Sequence, residues 1–185
     1  MGYENSMNQI DVLIDIAKKL DRSGISYMLT GSFAMNYYAE PRMTRDIDIV
    51  IDLREGAEEK FINLFKEDYY IPEETVKKAI FKRKMFNIIH TGSVVKVDFI
   101  IRKNSEYRQV EFERRQKISV NNRSIYIVSK EDLMISKVFW AKDSNSDLQK
   151  NDIKNLVQSG YDKDYLEKWL KKLGIDKFFK EFIDG

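Results

Sequence analysis

Apolar residues recur at helical spacing over residues 8–20, where Ile10, Leu13, Ile14, Ala17 and Leu20 share one side and Gly24 follows as a terminator. This predicts an amphipathic opening helix. The period then changes. Residues 26–30 predict a short strand running into Gly31-Ser32, and the segment FAMNYYA predicts a helix that Pro41 interrupts. Residues 46–53 alternate, with Ile47, Ile49 and Ile51 on one face and Asp46, Asp48, Val50 and Asp52 on the other. A helix carrying Ala57, Phe61, Leu64 and Phe65 is expected over 55–67, and a second short one from Pro72-Glu73-Glu74. Segments 84–90 and 94–102 flank Thr91-Gly92-Ser93 and predict an antiparallel hairpin. Its second strand turns Val95, Val97, Phe99 and Ile101 one way and Lys96, Asp98 and Ile100 the other. A charged helix over 106–116 precedes a further hairpin made by KISV and SIYIV around Asn121-Asn122-Arg123.

Beyond that point the strand signals stop. Ser129 and Asp132 stand at capping-box spacing before a helix expected over 130–142, and helical patterns continue to the C terminus with a break near Gly160. The predicted class is therefore α/β (α+β): a mixed sheet flanked by helices over 1–128, with a helical region over 129–185 packed against it. The chain has 185 residues, 43% of them hydrophobic, enough to bury one substantial core. Its 32 basic and 30 acidic side chains nearly cancel, so the net charge of +2 gives no polyanion-binding signature. With no cysteine, disulfides, thiol catalysis and thiolate metal sites are excluded, and any metal must be held mainly by oxygen. The start MGYENSMNQI lacks the basic and apolar regions of a secretory leader, and no apolar run is long enough to span a bilayer, so a cytoplasmic protein is expected.

The candidate chemistry begins with Asp46 and Asp48. Residues two apart on a strand point the same way, roughly 6.5 to 7 Å apart, so their carboxylates can meet on a common ion. Asp98, on the polar face of the later strand, is a candidate third acid. Magnesium prefers oxygen ligands, and paired divalent ions stabilise the attacking and leaving oxygens of a phosphoryl displacement. The competing reading makes all three solvated surface acids, although aspartates between isoleucines sit poorly on a strand. Asp52 has the same parity but lies at the strand end, where a turn or cap role is expected. Gly31-Ser32 offers close backbone approach and donors for phosphate, or simply a helix cap. His90, the sole histidine, reads as structural.

The ordered set LTGSFAMNYYAEPRMTRDIDIVIDL and VVKVDFI resembles the polymerase-beta superfamily of nucleotidyltransferases, and in finer detail the bacterial nucleotidyltransferases related to AbiEii toxins. The second likeness rests on Arg42, Thr44, Asp46 and Asp48 and on Lys137 in KEDLMISKVFWAKD. The resemblance implies a phosphorus-group transferase that moves a nucleoside monophosphate from an NTP such as ATP to a hydroxyl acceptor, with Mg2+ or Mn2+. Asp46 and Asp48 would bridge the metals and Asp98 would ligate the catalytic one. Gly31, Ser32, Arg42, Thr44, Arg45 and Lys137 would serve the nucleotide. Asp147, Lys150 and Asp152 match the related chains only loosely. RNA such as tRNA, a protein or a small molecule are the implied acceptors, and KRK at 82–84 with Arg114-Arg115 are candidates for tracking RNA phosphates. The alternative is a weakly active or inactive module, such as one member of a toxin–antitoxin pair, docking a partner through Trp140, Trp169, Phe178, Phe179 or Phe182 on the C-terminal helices.

Overall fold

The structure, a computed structural model, describes residues 7–144 and 146–184; residues 1–6, on which the expectation of an absent leader partly rests, lie outside them. α1 (Gln9–Ser23) is capped by Asn8, whose side chain accepts from the amides of Ile10 and Asp11 while the Asp11 carboxylate accepts from the Asn8 amide at 3.0 Å. The box satisfies donors that the first turn leaves unpaired. Gly24 ends the helix at φ 70° with its amide on the Leu20 and Asp21 carbonyls, a left-handed cap that needs no Cβ. There follow β1 (Tyr27–Thr30), α2 (Gly31–Tyr38), β2 (Asp46–Ile51), α3 (Glu58–Phe65), β3 (Tyr69–Tyr70), α4 (Glu73–Lys82), β4 (Met85–His90) and β5 (Lys96–Ile101). The chain continues through α5 (Glu106–Glu113), β6 (Gln116–Val120) and β7 (Arg123–Ile127) into α6 (Lys130–Ser144), α7 (Asp147–Gln158), α8 (Lys163–Lys172) and α9 (Asp176–Asp184).

The strands form one seven-stranded sheet ordered β3-β4-β5-β2-β1-β7-β6. β2 lies parallel to β5 and antiparallel to β1, and β1 is parallel to β7, so the sheet is mixed. A mixed sheet flanked by helices and followed by a helical region is the predicted class. One face carries Ile47, Ile49, Ile51, Val97, Phe99 and Ile101, all at most 1% exposed. There Phe61 of α3 meets Phe86 and Phe99 edge-on, with centroids 5.4 and 5.1 Å away, a geometry that adds to simple burial. The opposite face carries the aspartates.

α6 is buried on several sides at once. Leu133, Met134, Ile135, Val138 and Ala141 are all at most 1% exposed, because α6 packs against α2, α7, α8 and α9 together. A helix so enclosed has no single apolar stripe. Asp132, fully buried, accepts from Ser129 Oγ at 2.6 Å, Tyr165 OH at 2.7 Å and Arg114 Nε at 3.1 Å. That one carboxylate ties α6 to α8 and to the turn after α5.

Three elements differ locally from the sequence expectation. β3, two residues long, was not predicted; Tyr69 pairs with His90 and donates its hydroxyl to Asp15 at 2.8 Å, so it exists through partners distant in sequence. β5 starts at Lys96, since Val94 takes φ 57° to close the hairpin. The helix expected over 55–67 is confined to Glu58–Phe65.

Candidate active site

Alternation along β2 and parallel pairing to β5 bring the acids together. Asp48 and Asp98 are direct register partners, and Asp46 pairs with Lys96 one step earlier on the same face. Gly31 closes on them from the β1–α2 turn. Its φ is 65°, and a Cβ there would fall inside the Asp48 carboxylate. Glycine is thus required twice, by conformation and by space. Thr30, the N-cap of α2, makes no side-chain capping bond, so its side chain does not satisfy the first amides of that helix, groups of the kind that bind anions.

The electrostatics are those of crowded negative charge. Burial, then the Asp98 and Asp46 carboxylates, push the Asp48 carboxyl up from 3.8 to about 6. Oδ1 of Asp98, a residue 6% exposed, is buried without a hydrogen-bond partner. Lys96 reaches between the acids, its Nζ 2.7 Å from Asp98 Oδ2 and 3.3 Å from Asp46 Oδ2. Burial disfavours that ammonium, but the bonds to Asp98 and Asp46 outweigh it and raise its pKa. Among the described residues, no group of three or more His, Asp or Glu side chains stands at ready metal-ligand spacing. The donor set still fits a hard divalent cation: an all-oxygen cluster, an orphaned carboxylate oxygen and an ammonium drawn to where positive charge is wanted.

A second cluster lies beside the turn. Arg42 donates from Nε and Nη2 to the two oxygens of Asp152 at 2.7 and 2.8 Å, and from Nη2 to Ser32 Oγ at 2.6 Å. Lys137, 3% exposed, donates to Asp152 at 2.7 Å and to Gln149 at 3.1 Å. Burial lowers the Lys137 pKa against the pull of Asp152. Hydrogen bonds from Arg42, with the charge of Lys137, overcome burial and keep Asp152 ionised below the usual carboxylate range. Asp152 therefore joins three of the expected nucleotide residues. Sequence reading found only a loose match there, because the partners are 110 and 15 residues apart.

Gly31, Ser32, Asp48, Asp98 and Lys137 line one cleft of about 830 Å³ between the sheet and helices α5, α6 and α8. Arg42, Thr44, Arg45 and Asp46 are not among its lining residues. The Thr44 and Arg45 carbonyls are instead held by Gln9 Nε2 at 3.0 and 2.8 Å. Asp147 and Lys150 pair with each other at 3.6 Å, also outside the cleft. Asp52, expected in a turn or cap role, instead pairs with Arg102 at 3.1 Å, and His90 Nδ1 lies 2.8 Å from Ser93 Oγ. Trp169, Phe179 and Phe182 are buried, which removes most of the aromatic surface considered for partner docking.

A paired-acid strand beside a glycine turn at a helix N-terminus, with a third acid on the neighbouring strand, defines a nucleotidyltransferase of polymerase-beta-like fold. The chain belongs to the aminoglycoside-2''-adenylyltransferase family, whose model matches residues 12–156. Solved structures show the same fold. A nucleotidyltransferase-like antigenic protein from Paracoccidioides brasiliensis is 16% identical over 92% of this chain and 91% of its own, with a TM-score of 0.59. The lincosamide antibiotic adenylyltransferase LnuA with lincomycin bound is 17% identical over 84% and 100%, at 0.54. ANT(2")-Ia in complex with adenylyl-2"-tobramycin is 11% identical over 95% and 97%, at 0.52. No curated protein sequence matches significantly. The protein is thus an enzyme that transfers nucleotidyl groups. Among the described residues, no helix is long and apolar enough to cross a membrane.

Proposed function

We propose that this enzyme is metal-dependent and moves a nucleoside monophosphate, most simply AMP from ATP, to a hydroxyl of a small molecule. The observation that carries this reading is the pairing of Asp48 with Asp98 on adjacent strands, against Gly31 and inside a cleft. Asp46, Asp48 and Asp98 would hold Mg2+ or Mn2+, which when bound would neutralise phosphate charge and polarise the reacting oxygens.

The chain's own residues do the rest. The α2 amides and Ser32 receive the triphosphate, Arg42 fixes the Ser32 hydroxyl, and Lys137 adds positive charge close to Asp48. Arg42 thus acts through Ser32, while Thr44 and Arg45 shape the approach to β2. Asp98 takes the acceptor's hydroxyl proton as that oxygen forms a bond to the α-phosphorus. The bond from that phosphorus to the bridging oxygen breaks, and pyrophosphate leaves with the electron pair.

A small acceptor is favoured over RNA by the use made of one of the two basic clusters, Arg114-Arg115, although Lys82 and Lys84 of the other stay exposed. Arg114 is spent on Asp132 and on the Tyr165 ring, 3.7 Å from its centroid, and Arg115 stacks on Phe112 and Tyr126. The fold neighbours that carry lincomycin and adenylyl-tobramycin point the same way. An RNA-directed toxin, the reading that rests on the AbiEii likeness, is the competitor. The test is incubation with each labelled NTP, Mg2+ or Mn2+, and in turn lincomycin, tobramycin and total RNA, beside a folded Asp46→Ala/Asp48→Ala control. Metal-dependent label on a small acceptor, absent from the control, is expected. Label on RNA alone would favour the toxin reading, and failure to bind any metal-triphosphate would sink nucleotidyl transfer altogether.

A further inference from the structure

The row of side chains one strand step beyond the acids is apolar. In the register that places Asp48 beside Asp98, Val50 stands beside Ile100, and Met85 of β4 pairs with Ile100 from the other side. These three share the open face with the carboxylates, roughly 6.5 to 7 Å further along the strands, and all three line the cleft. Trp140 of α6 lines the same cleft at 56% exposure, and Met85 is 48% exposed. Single exposed apolar residues are ordinary, but a contiguous row continuing from paired acids inside a cleft marks a binding wall.

The charges around that wall are mostly spent. Beyond the strand acids, the cleft has three acidic residues, Glu106, Glu111 and Asp143. Glu111 is held by Arg108 at 2.7 and 2.8 Å and by Ser136 at 2.8 Å, and Glu106 by Lys172 at 2.6 Å. Among the described residues, Asp143 is the one acid of this wall with no ion pair. A polycation needs several unpaired carboxylates to replace its hydration, and this wall supplies one.

From this wall we infer that the acceptor is an amphipathic, hydroxylated small molecule carrying no more than one positive charge, its apolar part on Val50, Ile100 and Met85 and facing Trp140, and its amine toward Asp143. The inference rests on the nucleotidyl-transfer reading and narrows it to a substrate class at odds with a polycationic aminoglycoside. Its hydroxyl then lies next to Asp98, one strand step from the apolar seat.

Two measurements on the full chain separate the two claims. Binding of Mg·ATP is measured first by calorimetry; its absence removes the nucleotidyl-transfer reading, and this inference with it. With a non-hydrolysable ATP analogue bound, lincomycin serves as the amphipathic monoamine probe, tobramycin as the polycation and tRNA as the macromolecule. Lincomycin is expected to bind at least about tenfold more tightly than tobramycin, with little dependence on salt, as apolar burial requires. Ile100→Glu and the more exposed Met85→Glu should each weaken lincomycin about tenfold or more while leaving Mg·ATP affinity within about twofold. The Met85 variant guards against misfolding of the other. Tighter binding of tobramycin or tRNA, no binding of lincomycin, or glutamate variants without effect would overturn the assignment while leaving nucleotidyl transfer standing.

Discussion

At Gly31 the backbone takes φ 65° directly against the Asp48 side chain, so Gly31→Ala brings both left-handed strain and a steric conflict with the carboxylate proposed to hold the metal. Loss of about 2 kcal/mol or more in stability is expected from these terms together. Displacement of Asp48 should also lower kcat/KM by at least about a hundredfold. Chemical denaturation and steady-state kinetics check the two effects. Asp48 itself illustrates function held against stability. Its folded pKa of about 6 lies above the ordinary 3.8 because burial and two like charges oppose ionisation. The folded state therefore holds the proton more tightly than the unfolded state, and stability falls as pH rises from about 4 to about 6. Asp48→Asn should raise the melting temperature of the metal-free protein at pH 7.5, by the equivalent of about 1–3 kcal/mol, with the gain vanishing below about pH 4, while abolishing transfer. A thermal melt at each pH is the check, and an unchanged or lowered melting temperature at pH 7.5 would contradict the account.

At the scale of elements, the decisive joint is between α2, the loop before β2, α6 and α7. Asp152 on α7 holds Arg42 from the loop and Lys137 from α6, and Arg42 in turn holds Ser32 on α2. Removing one partner from a buried pair costs more than the pair contributes, because the remaining charge is left without compensation. Asp152→Ala is expected to destabilise the protein by about 3–5 kcal/mol in urea denaturation. Asp152→Asn, which retains the acceptor oxygen, should keep the fold better and appear mainly as a raised KM for the triphosphate, since Arg42 and Ser32 lose their fixed geometry. A KM unchanged in the Asn variant would place Asp152 in folding alone. The hairpin ends behave more simply. Asn121 and Asn122 take φ 46° and 61°, the left-handed pair that a two-residue turn between β6 and β7 demands.

For the whole molecule, we propose that the division at residue 128 is a change of secondary structure and not a boundary of stability. Ser129 and Asp132 begin α6, and Asp132 is bonded to the Arg114 side chain, to Tyr165 on α8 and to Tyr107 on α5. The cleft is likewise walled by both regions. A single calorimetric transition, with matching calorimetric and van't Hoff enthalpies, is expected. Truncation after residue 128 should yield a chain without a cooperative melt, since it strips α6 from α2 and removes Asp132, the partner of Tyr107 and Arg114. Two separated transitions would restore the two-domain view.

The local sequence determined the parts whose physics is periodic. Period two set Asp46 and Asp48 on one side of β2 and isoleucines on the other; Asp98 followed by the same parity on β5. Caps at Asn8, Gly24 and Ser129 and the turn at Asn121-Asn122 are likewise decided within a few residues, by local hydrogen bonds and by left-handed backbone. Tertiary structure alone decided what depends on neighbours distant in the chain. Strand order put Asp98 rather than another acid beside Asp48, and Lys96 became the cation between carboxylates once β2 and β5 paired in that register. Packing of α6 and α7 onto α2 turned Asp152, a loose match in the sequence, into the anchor of Arg42 and Lys137. Packing of α6 and α8 beside the end of α5 likewise gave Arg114 its partners, Asp132 and the Tyr165 ring. A side chain's parity follows from its own strand or helix, but its partner depends on which elements the buried apolar faces bring together.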